Sequence, residues 1–66
     1  MTFSGVVAYL DGQRNRARDL LESGDYTEAI RVVNEYLAYD RRCFPGAVVS
    51  AEDQSLRKDI LTKLGE

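Results

Sequence analysis

The stretch Glu22-Ser23-Gly24-Asp25-Tyr26-Thr27-Glu28-Ala29-Ile30 constrains this chain more than any other. Gly24 can take the left-handed backbone that ends a helix. Asp25 then stands where a short acceptor caps the next helix, and Glu28, three residues on, completes the pattern of a capping box. The stretch reads as the corner of a helical hairpin. A corner of this kind fixes architecture and leaves chemistry open.

The helices follow from the corner in both directions. Upstream, Phe3, Val6, Val7 and Leu10 recur at i, i+3, i+4 and i+7, and Ala17, Leu20 and Leu21 continue nearly the same stripe. This spacing predicts a first helix from about residue 3 to 23. Against it stand Gly5 and Gly12, each costing about 1 kcal/mol inside a helix. Residues 11–16 also hold no apolar side chain. The competing assignment is a short element at 2–10, a strand, followed by a helix at about 13–23. Downstream, the pattern predicts a second helix from Tyr26 to about Arg41. Tyr26, Ala29, Ile30, Val33 and Leu37 form one expected buried face, and Val32, Tyr36 and Tyr39 form a neighbouring stripe. So wide an apolar arc needs two neighbouring helices, or one neighbour and a partner. Arg41 and Arg42 sit where cations favour the terminal carbonyls. Residues 43–49 form the next connection, with a turn at Pro45-Gly46. Ser50 caps a third helix with Asp53 at the reciprocal position of the box, and Leu56, Ile60, Leu61 and Leu64 give it an apolar face ended by Gly65.

The 66 residues form a single helical domain, 1–66, an all-α three-helix bundle. A chain of this size buries only about 60% of the surface its unfolded form exposes, so self-association would add welcome stability. No apolar run approaches the roughly 20 residues of a membrane-spanning helix. The formal charge of −2 argues against a protein held mainly by nucleic-acid phosphates. The sequence has no histidine, which removes the commonest general base and metal ligand. Its lone Cys43 forms no internal disulfide or thiolate zinc site. Asp11, Asp19, Asp25, Asp40, Asp53 and Asp59 are spread along the chain, and Gly5 and Gly12 make no phosphate loop. No enzyme, cofactor or metal is expected. The single cysteine, and a start at Met1–Gly5 without a basic and apolar leader, point to a reducing, cytoplasmic setting.

Three groups carry what functional signal there is. Arg14, Arg16 and Arg18 are the densest basic cluster; Arg14 and Arg18 share a helix face, read as solvated with Asp11 and Glu22 as neighbours. Cys43 beside Arg41 and Arg42 is read as structural or merely exposed. Tyr36 and Tyr39, at i and i+3 beside Val32, have the apolar body and polar tip enriched at interfaces, yet they could equally cover the core.

The segment Ala17 to Leu37 resembles one tetratricopeptide hairpin, through Ala17 and Leu20, the turn Gly24-Asp25-Tyr26, and Ala29 and Val33. With Leu56 to Leu64 as a third helix it also looks like the microtubule-interacting-and-transport domain. That resemblance implies binding of short peptide helices between the second and third helices. A third resemblance is to ribbon-helix-helix antitoxins. Phe3–Leu10 would be the DNA-reading strand, residues 23–33 the turn and second helix, and the last helix a toxin-binding tail.

The sequence reading favours a small non-catalytic interaction module, adaptor or inhibitor of a larger protein, of the size of a phage regulatory protein. Its expected partner-binding residues are Val32, Tyr36, Tyr39, Leu56 and Ile60, meeting a protein partner or a second copy of the chain. Nucleic acid and membrane are not expected partners. The alternative is the DNA-binding antitoxin, distinguished by a strand at residues 2–10.

Overall fold

A computed structural model describes residues 3–66, with the side chain of Phe3 outside the description; the expectations for Met1, Thr2 and that side chain therefore lie outside the described residues. Three helices follow in order: α1, Phe3–Ser23; α2, Tyr26–Cys43; α3, Ala51–Leu64. The expected three-helix bundle is what forms. The strand expected as the alternative at 2–10 does not: from Phe3 onward that stretch is the first part of α1. The apolar spacing of Val6 and Leu10 outweighs the propensity cost of Gly5 and Gly12. The ribbon that the antitoxin resemblance requires is absent among the described residues.

The corner at Gly24 has the expected geometry. Gly24 has φ +89°, its N–H donates to the Leu21 carbonyl at 3.2 Å, and the Asp25 N–H donates to the Leu20 carbonyl at 2.9 Å. This is a Schellman close, in which two orphan carbonyls at the end of α1 are satisfied. Asp25 accepts from the Glu28 N–H at 3.4 Å. The reciprocal half of the box is corrected: the Asp25 N–H is already engaged by Leu20, and the Glu28 carboxylate turns to Arg31 instead. The second connection turns at Pro45-Gly46, where Gly46 has φ +86° and the Ala47 N–H closes on the Phe44 carbonyl at 3.1 Å.

Helix α2 lies between the other two, packing along α1 and against α3, while α1 and α3 touch less. The buried apolar residues are Val6, Leu10 and Ala17 on α1, Ala29, Val32, Val33 and Tyr36 on α2, and Leu56 and Ile60 on α3. Ala17 and Ala29 are small and wholly enclosed, which lets α1 and α2 approach closely. The face expected at the centre of α2 is only partly the core: Ala29 and Val33 are fully buried, but Val32 and Tyr36 are buried with them, and Tyr26, Ile30 and Leu37 flank the core half-buried. The cause is that α2 serves two neighbours, so the stripe expected beside its core face is itself core.

Candidate functional site

Four of the five residues expected to meet a partner are interior. Val32, Tyr36, Leu56 and Ile60 are buried within the chain, and Tyr39 is half-buried. The Tyr39 ring packs on Tyr9 of α1 with centroids 4.7 Å apart, and the Arg42 guanidinium lies 5.8 Å from its centre. The expectation that Val32, Tyr36, Leu56 and Ile60 form an open binding face is therefore corrected: α1 and α3 use up the wide apolar arc of α2.

Tyr36 instead belongs to a buried polar cluster that joins all three helices. At its centre is Asp53, on the first turn of α3, with a side chain only 6% exposed. The Arg14 guanidinium of α1 donates to it twice, from Nε at 2.7 Å and from Nη2 at 3.0 Å. The Tyr36 hydroxyl of α2 donates to Oδ1 at 2.7 Å, and the Ser50 hydroxyl donates to Oδ2 at 3.0 Å. The Asp53 N–H donates in turn to Ser50 Oγ at 3.2 Å, so Ser50 caps α3 and fixes the carboxylate together. Arg14 also holds Asp11 at 2.6 Å. The geometry is bidentate and charge-assisted, and no buried side-chain polar atom among the described residues lacks a partner.

The electrostatics follow. Burial alone would push the Asp53 carboxyl up, but the donors Arg14, Tyr36 and Ser50 outweigh it and hold the carboxyl below the usual aspartate range. Burial, then the hydrogen bond to Asp53, pushes the Tyr36 hydroxyl well above the usual tyrosine range. Every group in the cluster is satisfied by another. What this arrangement does chemically is position α3 against the hairpin.

Arg14 was expected on a solvated face, and the structure corrects this. It stands at i+4 from Leu10 and i−3 from Ala17, in the buried stripe, with a side chain 16% exposed. Arg18 was expected beside Glu22 and instead pairs with Glu52 of α3. Arg16 reaches Glu28 across the hairpin at 3.6 Å. A signal for the buried pair was present in the sequence. Arg14 fills the gap in the stripe Leu10–Ala17–Leu21, and Asp53 precedes Leu56 and Ile60 at i−3 and i−7. Charges at such positions are rarely buried unless paired.

A groove remains open between α2 and α3. It has a volume of about 870 Å³ and is lined on α2 by Asn34, Leu37, Ala38 and Arg41. Opposite stand Val49, Gln54, Arg57, Lys58, Leu61 and Thr62. Leu37 and Val49 are half-buried, and Leu61 is 41% exposed. No carboxylate lines the groove. Arg57 donates from Nε to the Asn34 side-chain oxygen at 3.3 Å, a contact that spans the two walls.

Comparison with protein-family models, curated proteins and solved structures finds no match to this chain.

Among the described residues, no group of three or more Cys, Asp or Glu is placed to hold a metal ion, and no helix is long and apolar enough to cross a membrane. Cys43 is exposed at the end of α2.

Proposed function

We propose that this chain is a non-catalytic interaction module, an adaptor or inhibitor of a larger protein, that takes a protein partner in the groove between α2 and α3. The observation that carries this reading is the groove itself. It is a recess of about 870 Å³ whose apolar lining, Leu37, Ala38, Val49 and Leu61, is left open by the chain's own packing. A small bundle normally covers such lining or uses it. The polar cluster around Asp53 supports the same reading. It is saturated internally, so its role is to hold the α3 wall in place. The lack of histidine supports a function without general acid–base chemistry. The exposed lone thiol fits the cytoplasmic, reducing setting that belongs to this proposal.

The test is retention of a partner from host lysate by the immobilised full chain, compared with a Leu61→Asp variant. Leu61 lines the groove without being core, so the variant should keep its circular dichroism spectrum and lose the partner. Equal retention by both proteins would refute the groove as the binding surface.

A further inference from the structure

The chain has nine basic side chains and a net charge of −2. Among the described residues, Arg14, Arg16, Arg18, Arg31 and Lys63 are each paired with a carboxylate. Arg42 stacks on Tyr39. The remaining three, Arg41, Arg57 and Lys58, have no carboxylate partner, and all three line the α2–α3 groove. A mildly acidic protein thus pairs five of its cations with carboxylates, stacks a sixth on a tyrosine and leaves three in one recess.

From this segregation we infer that the groove's occupant is an acidic amphipathic helix of a partner protein. The inference rests on the reading of the groove as a binding surface, and adds what binds there. Charge complementarity selects the acidic character, since cations without a carboxylate partner around an apolar floor favour carboxylates placed opposite them. The groove's other features select the helix. There is no strand among the described residues, so an extended peptide finds no sheet edge to join. No aromatic side chain lines the groove, so the polyproline mode of recognition has no platform. Two helices with the small Ala38 between Leu37 and Arg41 form the kind of trough that an apolar helix face enters. Asn34 to Arg41 spans about 10 Å along α2, at about 1.5 Å per residue. The occupant therefore presents about two turns. Its apolar residues at i, i+3, i+4 and i+7 meet Leu37, Val49 and Leu61, and its carboxylates flank that stripe toward Arg41, Arg57 and Lys58. Nucleic acid is disfavoured because three phosphate contacts on a net-negative protein give weak, strongly salt-dependent binding, and because phosphates make no use of the apolar floor.

The experiment is selection from a phage-displayed library of 16-residue helix-forming peptides, randomised at apolar and charged positions, on the full wild-type chain. Selected peptides should carry acids on both sides of an apolar stripe. Made synthetically, they should bind at least tenfold more weakly to an Arg41→Glu, Arg57→Glu, Lys58→Glu variant with an unchanged melting curve. Exchanging the peptide's acids for lysines should restore binding to that variant. Neutral or basic peptides that still lose binding to Leu61→Asp would overturn the acidic occupant while leaving the groove reading intact. Peptides indifferent to Leu61→Asp, or no peptides at all, would overturn both. Labelled 20-base-pair DNA binding more tightly than the selected peptides, and lost in the triple variant, would replace the helix with nucleic acid. Sedimentation showing a wild-type dimer that the triple variant abolishes would replace it with a second copy of the chain.

Discussion

Replacing the buried Asp53 with leucine is expected to destabilise this protein by about 3 kcal/mol. The carboxylate accepts from Arg14 Nε and Nη2, from the Tyr36 hydroxyl and from Ser50 Oγ. Without it the Tyr36 hydroxyl, on a residue 1% exposed, has no acceptor, which costs about 1–3 kcal/mol. Removing one member of a fully buried ion pair costs about 3–5 kcal/mol. Arg14 is 16% exposed and keeps Asp11, so part of that penalty is relieved by solvent. The two effects overlap, and about 3 kcal/mol is the balance. A 66-residue domain is stable by about 3–10 kcal/mol, so this one side chain commands a third or more of it. The melting temperature should fall by about 12–24 °C at about 4–8 °C per kcal/mol. The ion pair is a lock and not a net source of stability. Exchanging both partners together, Arg14→Leu with Asp53→Leu, removes the desolvated charges and should recover the part of the loss that comes from the unpaired Arg14, leaving the part that comes from the Tyr36 hydroxyl. Urea unfolding followed by circular dichroism measures all four corners of the cycle. A loss below 1 kcal/mol in Asp53→Leu, or a double variant as unstable as the sum of the singles, would refute the reasoning.

The same cluster sets the pH profile. The Asp53 carboxyl lies below its free value of about 4, so its contribution is whole at neutral pH and drains as pH falls through and below that value. The Tyr36 hydroxyl lies above its free value of about 10, so its contribution is whole below pH 9 and drains as pH rises past it. Asp53→Asn should flatten the acid limb and Tyr36→Phe the alkaline limb of urea midpoint against pH; unchanged limbs would separate these groups from the pH response. Gly12 is helical, and a methyl group there meets nothing within 4 Å. Gly12→Ala should therefore stabilise by about 1 kcal/mol, read as a higher melting temperature. At the corner, Asp25→Ala should cost about 0.5–2 kcal/mol. Gly24→Val should cost more, because φ is +89° there; thermal melts that leave both variants unchanged would show that the corner contributes nothing.

The architecture was legible because its signals are local. Gly24 and Asp25 mark the corner, Ser50 the start of α3, and the i, i+3, i+4 spacing the helices between them. The first helix was ambiguous for a reason that the packing explains. Residues 11–16 hold no apolar side chain, yet one of them, Arg14, occupies the buried stripe, because Asp53 reaches it from 39 positions away. A pattern rule that counts apolar residues reads Arg14 as a gap. Only a pairing between distant segments makes it a core position. The misplacement of Val32 and Tyr36 has the same origin. A wide apolar arc on α2 is compatible with one helix and a partner, or with two helices, and the spacing along α2 alone is identical in both cases. The groove residues were hidden differently. Arg57 and Lys58 look like ordinary solvated charges until the ion pairs of the other cations are known.

Helix α3 ties these findings together. Its own buried apolar side chains are two, Leu56 and Ile60, and it meets α1 only lightly. Two such side chains contribute about 1.5–3 kcal/mol each, while ordering 14 residues costs about 1–2 kcal/mol of backbone entropy apiece. Helical hydrogen bonds recover much of that cost wherever the helix sits, but they do not say where it sits. Position comes from Asp53, whose bonds to Arg14, Tyr36 and Ser50 admit one placement of the first turn of α3. The adjoining flank of that helix carries Arg57, Lys58 and Leu61 into the groove. One face of α3 is therefore spent on a saturated internal lock, and this fixes the register in which the flank beside it presents Arg57 and Lys58, two of the groove's three cations without a carboxylate partner, beside Leu61. A wall held by directional bonds keeps its shape without an occupant. The groove is accordingly preorganised, so the helix we propose as its occupant need not order α3 on binding.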